Sequence, residues 1–134
     1  MVAVAVASLV SLAASAATRN VVGGELVGAS DVIVNGELYD VRFMDGTCID
    51  LFNGCDAAAD FTFPTNSSAM AASEALLTQV FVNEPLGNFD DEPELMKDCS
   101  NDIRCFAITP YDVFTLSGMT YVATNAAKND RGGP

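Results

Sequence analysis

Asn35-Gly36 sits between an apolar triplet, Val32-Ile33-Val34, and the alternating stretch ELYDVRF at 37–43. A two-residue type I′ turn needs positive φ at both central positions, which Asn and Gly tolerate best, so the dipeptide predicts a β-hairpin. That turn sets Val34 opposite Glu37, Ile33 opposite Leu38 and Val32 opposite Tyr39. Because side chains alternate across a strand, Val32, Val34, Tyr39, Val41 and Phe43 then share one face. Asp40 and Arg42 lie on the other, with Ile33 and Leu38. The first set is the expected core face.

The chain has 134 residues, half of them apolar, which suits a single small domain with one core. Its first seventeen residues, MVAVAVASLVSLAASAA, carry no charge and end in small residues. Ala14-Ser15-Ala16 or Ser15-Ala16-Ala17 fits the small-x-small cleavage pattern of a secretory signal peptide, although a basic n-region is missing. A buried apolar strand or helix of the mature fold is the competing reading. The run is short and Ala-rich for a permanent membrane anchor.

Cys48, Cys55, Cys99 and Cys105 follow the leader. In an exported chain an even count favours disulfides, and among three connectivities the local pairs Cys48 to Cys55 and Cys99 to Cys105 are the simplest. A four-thiolate zinc site is the rival, against which stand the wide C-x6-C and C-x5-C spacings.

Further along, Ala69, Ala72, Leu76 and Val80, with Leu77 and Phe81 beside them, recur at helical spacing. Asn66 or Ser67 supplies the expected N-cap, with Pro64 just upstream. Capping explains Asn66-Ser67-Ser68 better than glycosylation does. Residues 83–102 are loop-like and acidic, with a short helical turn expected around Glu92 to Met96. IRCFAITPYDVFTL and SGMTYVATN predict two more strands, the first ending or lying at an edge because of Pro110. The fold expected is α+β: a small antiparallel sheet, completed by strands near Ile103 to Thr109 and Met119 to Thr124, packed on one main helix from Ser67 to Val82 and stabilised by disulfides. Its divisions are a leader at 1–17, a single domain at 18–127 and a flexible tail at 128–134.

Charge narrows the function. Six basic against eighteen acidic side chains give a net charge of -12, which repels phosphate backbones and anionic lipid, so neither nucleic acid nor, after leader removal, a membrane is an expected partner. Histidine is absent, which removes the commonest general base, Ser or Cys activator and metal ligand. Tryptophan is absent too, leaving Tyr39, Tyr111, Tyr121 and Phe for any sugar platform.

Two clusters carry candidate chemistry. In MDGTCIDLFNGCD, Asp45, Asp50, Asn53 and Asp56 surround two cysteines and offer the oxygen ligands that Ca2+ takes, without EF-hand spacing. Asp45-Gly46 and Asn53-Gly54 read equally as turns. In NFDDEPELMKDCSND, Asp90, Asp91 and Glu92 can raise one another's pKa or hold a hard cation; a solvated acidic face is the competing reading. A glycosidase would need two carboxyls across a cleft that a small domain hardly offers. Lys97 and Lys128 lie in no Ser-Lys motif, and no catalytic residue is assigned.

LVGASDVIVNGELYDVRFMDGTC, LFNGCDAAADFTF, AMAASEALLTQVF and the later Cys-x5-Cys followed by TPY together resemble a group of bacterial secreted proteins, many with a C-terminal PEP-CTERM sorting tail. The resemblance spans nearly the whole mature chain. It implies export across the inner membrane of a Gram-negative bacterium and a place at the cell surface or in extracellular polymer. It carries over no catalytic residue. The last residues here, DRGGP, have no Pro-Glu-Pro motif, anchor helix or basic terminus, which fits a fragment or a member that is released. The function expected is that of an exported, non-enzymatic surface or matrix protein binding cations, polymer or a protein partner. The alternative is a small Ca2+-dependent or carboxylate-based enzyme acting on extracellular polysaccharide.

Overall fold

The computed structural model describes residues 2–5 and 16–132. Strands β1 (Val2–Ala5), β2 (Thr18–Val22), β3 (Glu25–Val34) and β4 (Glu37–Arg42) form an antiparallel sheet in the order β1-β4-β3-β2. Asn35 (φ 50°) and Gly36 (φ 81°) make the β3–β4 turn. Its register is the expected one, Val34 to Glu37, Ile33 to Leu38 and Val32 to Tyr39. Val32, Val34, Tyr39, Val41 and Phe43 are all buried, while Ile33, Asp40 and Arg42 face solvent. Most of the leader expected over 1–17 lies outside the described residues. Of the rest, Val2–Ala5 pairs along β4 and Ala17 is buried.

Two irregularities adjust this sheet. A bulge between Ala29 and Val32 places Asp31 at φ 59° and restores the alternation after it. Gly28 pairs with Asn20 on one side and Arg42 on the other, and a Cβ there would stand 2.1 Å from the Val41 carbonyl oxygen. Since the obstacle is backbone, no rotamer change could relieve it.

Helix α1 (Cys48–Leu51) is one turn, and α2 (Asn66–Gln79) is the main helix. The N-cap of α2 is Thr65, one residue before the expected Asn66 or Ser67. Thr65 Oγ1 accepts from Ser68 N at 3.1 Å and Ser68 Oγ accepts from Thr65 N at 3.2 Å. This reciprocal pair satisfies two amide groups that would otherwise lack partners. Ala69, Ala72, Ser73, Ala75 and Leu76 are buried along the helix, and Val80 and Phe81 continue that surface past its end. Leu77, grouped with them by spacing, is instead exposed.

The expected single sheet is corrected by the last two strands. β5 (Asn83–Glu84) and β6 (Gly87–Asn88) make a minimal ladder. β7 (Arg104–Leu116) and β8 (Met119–Asp130) pair with each other as a separate ribbon and do not complete the first sheet. Helix α2 packs against both the ribbon and β3. The described residues thus form three antiparallel sheets, two helices and two disulfides, mixed as expected but not one helix on one sheet.

Pro110 does not end β7. It sits opposite Thr124, and a bulge between Pro110 and Asp112 lets the strand run on to Leu116. A two-stranded ribbon leaves alternate amides without ladder partners anyway, so a residue lacking N–H is tolerated. Lys128 to Asp130, expected in the tail over 128–134, close the ribbon by pairing with Phe106, Cys105 and Arg104. Buried Asn129 donates to the Phe89 carbonyl at 2.8 Å, which fixes that end. Pro93–Leu95 forms a short 3-10 turn within the stretch expected to hold one.

One core joins these parts. Phe43 stacks on Phe81 with ring centres 5.6 Å apart, and Tyr39 meets Phe63 at 4.9 Å. Ser73 Oγ reaches Thr109 Oγ1 at 3.5 Å, a buried polar contact between α2 and the ribbon. Gly28→Ala is expected to destabilise the fold by at least about 2 kcal/mol, because overpacking against a fixed carbonyl forces backbone to move. Urea unfolding measures this, and an unchanged midpoint would mean that the β3–β4 approach is looser than described.

Candidate functional site

The two disulfides close local loops, Cys48 to Cys55 and Cys99 to Cys105, with Cα atoms 5.6 and 6.2 Å apart. The first holds α1. Thr47 caps it, its Oγ1 accepting from Asp50 N at 3.3 Å and donating to the Asp50 carboxylate at 2.8 Å. Asn53, Gly54 and Cys55 then take positive φ in succession, and this left-handed run brings the second cysteine back. In the other loop Asn101 Oδ1 accepts from Ile103 N at 2.8 Å and Arg104 N at 3.0 Å, an Asx turn leading into β7.

Between the loops lies a groove of about 350 Å³. Cys48 of the first loop and Cys99 and Cys105 of the second line it. Phe106, Ile108 and Pro110 line it from β7, with their cross-strand neighbour Thr124 and with Val122. Leu51, Phe52 and Met96 contribute from the loops. Phe106 and Ile108 are 50% and 42% exposed, although they alternate with buried Ala107 and Thr109. Asp45, Lys97 and Asp98 supply charge to the lining. Such a lining can hold an apolar segment and orient it by a few charges, which is the usual composition of a binding pocket.

Of the sequence-predicted residues, only Cys48, Cys99, Cys105 and Asp45 reach this groove. Asp45 Oδ1 accepts from Gly46 N at 3.0 Å, Asp50 serves the α1 cap, and Asn53 donates to Asp60 Oδ1 at 3.3 Å. Asp60 Oδ2 accepts from the backbone N–H groups of Asp56 (3.0 Å) and Ala57 (3.1 Å). In the second cluster Asn83 donates to Asp91 at 2.7 Å, Asn88 donates to Glu92 at 3.2 Å, and Asp90 N donates to Asn83 Oδ1 at 3.1 Å. Among the described residues no three His, Cys, Asp or Glu side chains gather as a metal-binding group.

Sequence reading missed Asp60, Lys97, Phe106 and Ile108. The period-two alternation Phe106-Ala107-Ile108-Thr109 was a visible signal for the last two. The link to the 43–52 loop, which converts their exposed face into a groove wall, was not.

Three carboxylates depart from their ordinary values. The Asp56 N–H holds Asp60 down, helped by Ala57 N–H and the Asp56 and Asn53 side chains against a smaller desolvation effect. Hydrogen bonds from Arg104 and then Lys128 hold Asp130 down. Burial pushes Asp90 up, with the Asp91 charge adding to it. No family model, no curated protein and no solved structure matches this chain.

The signs give opposite pH effects. For Asp60 and Asp130 the stabilisation is present above the unfolded-state pKa of about 3.9 and lost as pH falls through the lower folded value. Asp90 favours its protonated form, so its contribution is fully present below about 3.9 and lost as pH rises through the higher folded value. Asp90→Asn is therefore expected to raise the melting temperature near neutral pH, with the gain vanishing below about pH 3.9. Melting curves of both proteins across pH check it; an equal shift at every pH would assign the effect to something other than ionisation.

Proposed function

We propose that this chain is an exported, non-enzymatic domain of the cell surface or extracellular matrix, and that the groove between its stapled loops grips an apolar segment of a protein partner. The observation that carries the reading is that three of the four disulfide cysteines stand at the walls of an apolar groove. Disulfides persist in oxidising compartments, so this groove suits the outside of a cell. Among the described residues no helix is long and apolar enough to cross a membrane. The resemblance to secreted proteins with sorting tails points to the same compartment.

A protein segment suits the lining better than a glycan does, because Phe106, Ile108, Pro110 and Leu51 present little to hydrogen-bond a sugar. Closing each loop also restricts the unfolded chain, by about 2 kcal/mol apiece at these loop lengths. The staples thus keep the groove's walls standing before a partner arrives, which lowers the ordering cost of binding.

Two measurements test this. Expressed with its leader in a Gram-negative host, the chain is expected outside the cytoplasm, with four alkylatable thiols appearing only after reduction. Titrated with a panel of extended hexapeptides of alternating apolar side chains, the labelled domain is expected to shift the amide signals of Lys97, Phe106 and Ile108. Ile108→Glu should weaken that binding at least about tenfold, as expected when a charge enters an apolar contact. A reduced cytoplasmic chain, or peptide binding indifferent to Ile108→Glu, would overturn the proposal. A large rise in melting temperature on adding Ca2+ would instead revive the acidic loops as ion sites.

A further inference from the structure

In the outer half of the β7–β8 ribbon, Val122 and Thr124 line the groove from one face, and the other face lies away from it. Along β8 the face that carries Asn125, Ala127 and Asn129 inward continues outward as Ala123, Tyr121 and Met119. Asn125 Nδ2 donates to the Asn66 carbonyl at 3.2 Å and to its side-chain oxygen at 2.8 Å, at the first turn of α2. Past that point the helix no longer covers the ribbon. Phe114 (47%), Tyr121 (41%), Leu116 (62%) and Met119 (61%) are left exposed on one face, with Phe114 and Tyr121 stacked at 5.6 Å.

We propose that this overhanging ribbon is a self-association arm, and that its occupant is the same face of a second copy, packed about a two-fold axis. Two independent observations select that occupant. From Val113 to Ala127 there are fifteen residues without a charge, in a chain whose net charge is -12. Two such bodies repel through almost any other surface, but little through this one, whose charge is confined to Asp112 opposite Ala123 at its root. A basic protein would be drawn to the acidic loops rather than to the arm, and anionic lipid would be repelled by the whole.

The second observation is the shape of the arm. A two-stranded ribbon with one uncovered face is marginal in water, and near its root α2 supplies the cover that it needs. Identical ribbons share the same twist, so two of them can align face to face and supply that cover to one another. The four side chains expose roughly 400 Å² per copy, judged from the size of such residues. The contact therefore belongs to the small, reversible class of interface. This inference concerns a surface separate from the groove and does not depend on what the groove binds.

Sedimentation of the full chain over about 10 µM to about 1 mM is the test, a range that brackets weak dimers. The mean mass is expected to rise from one chain toward two. It should rise further when salt goes from about 20 mM to about 500 mM, because screening removes the repulsion between the bodies. Leu116→Lys and Met119→Glu, both at exposed positions, should each weaken association at least tenfold while leaving the circular dichroism and melting curve unchanged. Hydrogen exchange at 113–122 should slow with concentration in the wild type alone. A single-chain mass throughout, association that salt weakens, or variants that associate like the wild type would overturn the proposal. So would an arm that sediments with neutral phosphatidylcholine vesicles while the free chain stays monomeric.

Discussion

Small side chains on α2 let two sheets approach it at once, and the remaining structure depends on that double contact. Ala69, Ala72, Ser73 and Ala75 are buried where a larger residue would hold the layers apart. Their own apolar area is modest. Leu76, Val80 and Phe81, almost wholly buried, contribute more, about 1.5 to 3 kcal/mol each as generic values for such side chains. With the helix in place, the sheet offers Phe43 to Phe81, and the ribbon offers Thr109 to Ser73. The ribbon's position then decides where Phe106 and Ile108 stand against the first disulfide loop, and so whether a groove exists.

Much of the first sheet was legible in the residues. Asn35-Gly36 permits few other turns, and a one-residue slip would have moved Val32, Tyr39 and Phe43 into water, so register followed from pattern. The main helix was legible for the same reason, apart from its cap, where Thr65 beat its neighbours through the reciprocal bond with Ser68. What the pattern could not carry was partnership between strands. Alternation in 104–109 and 119–124 says that each residue faces inward or outward, not which strand lies alongside. Of the two readings of Pro110, an edge position is the one found, since each strand of a two-stranded ribbon is an edge, where a missing N–H hardly matters. In the groove, the cysteines were legible as staples, yet the loops that they close are distant in sequence, and only the tertiary fold brings Cys48 toward Cys99.

Charge is distributed with the same economy of contact. Arg19 reaches across to Glu84 while also donating to the Ala17 carbonyl at 2.8 Å and the Gln79 carbonyl at 3.3 Å. Arg104 and Lys128 share Asp130 at the root of the ribbon, and Arg131 meets Asp102. Of these pairs, Arg19 with Glu84 and Arg104 with Asp130 tie segments that are distant in sequence, β2 to β5 and the two chain ends of the ribbon to each other. The acids of the 45–60 and 90–92 loops are engaged mainly with amides, so their role in the fold is to hold turns, and the field they create is a by-product of that role.

Gln79, in the last turn of α2, caps the open margin of β3. Its Nε2 donates to the Ile33 carbonyl at 2.8 Å, and its Oε1 accepts from Ile33 N at 2.9 Å. Beyond Ser30, where β2 pairing stops, β3 would otherwise present a bare donor and acceptor at an open margin. Such a margin is a template on which foreign strands assemble into aggregates. One glutamine amide, the size and polarity of a peptide group, fills the template with a single unit that cannot propagate. For a chain with so many β-branched residues nearby, the last turn of its helix thus serves as a stopper against amyloid-like growth.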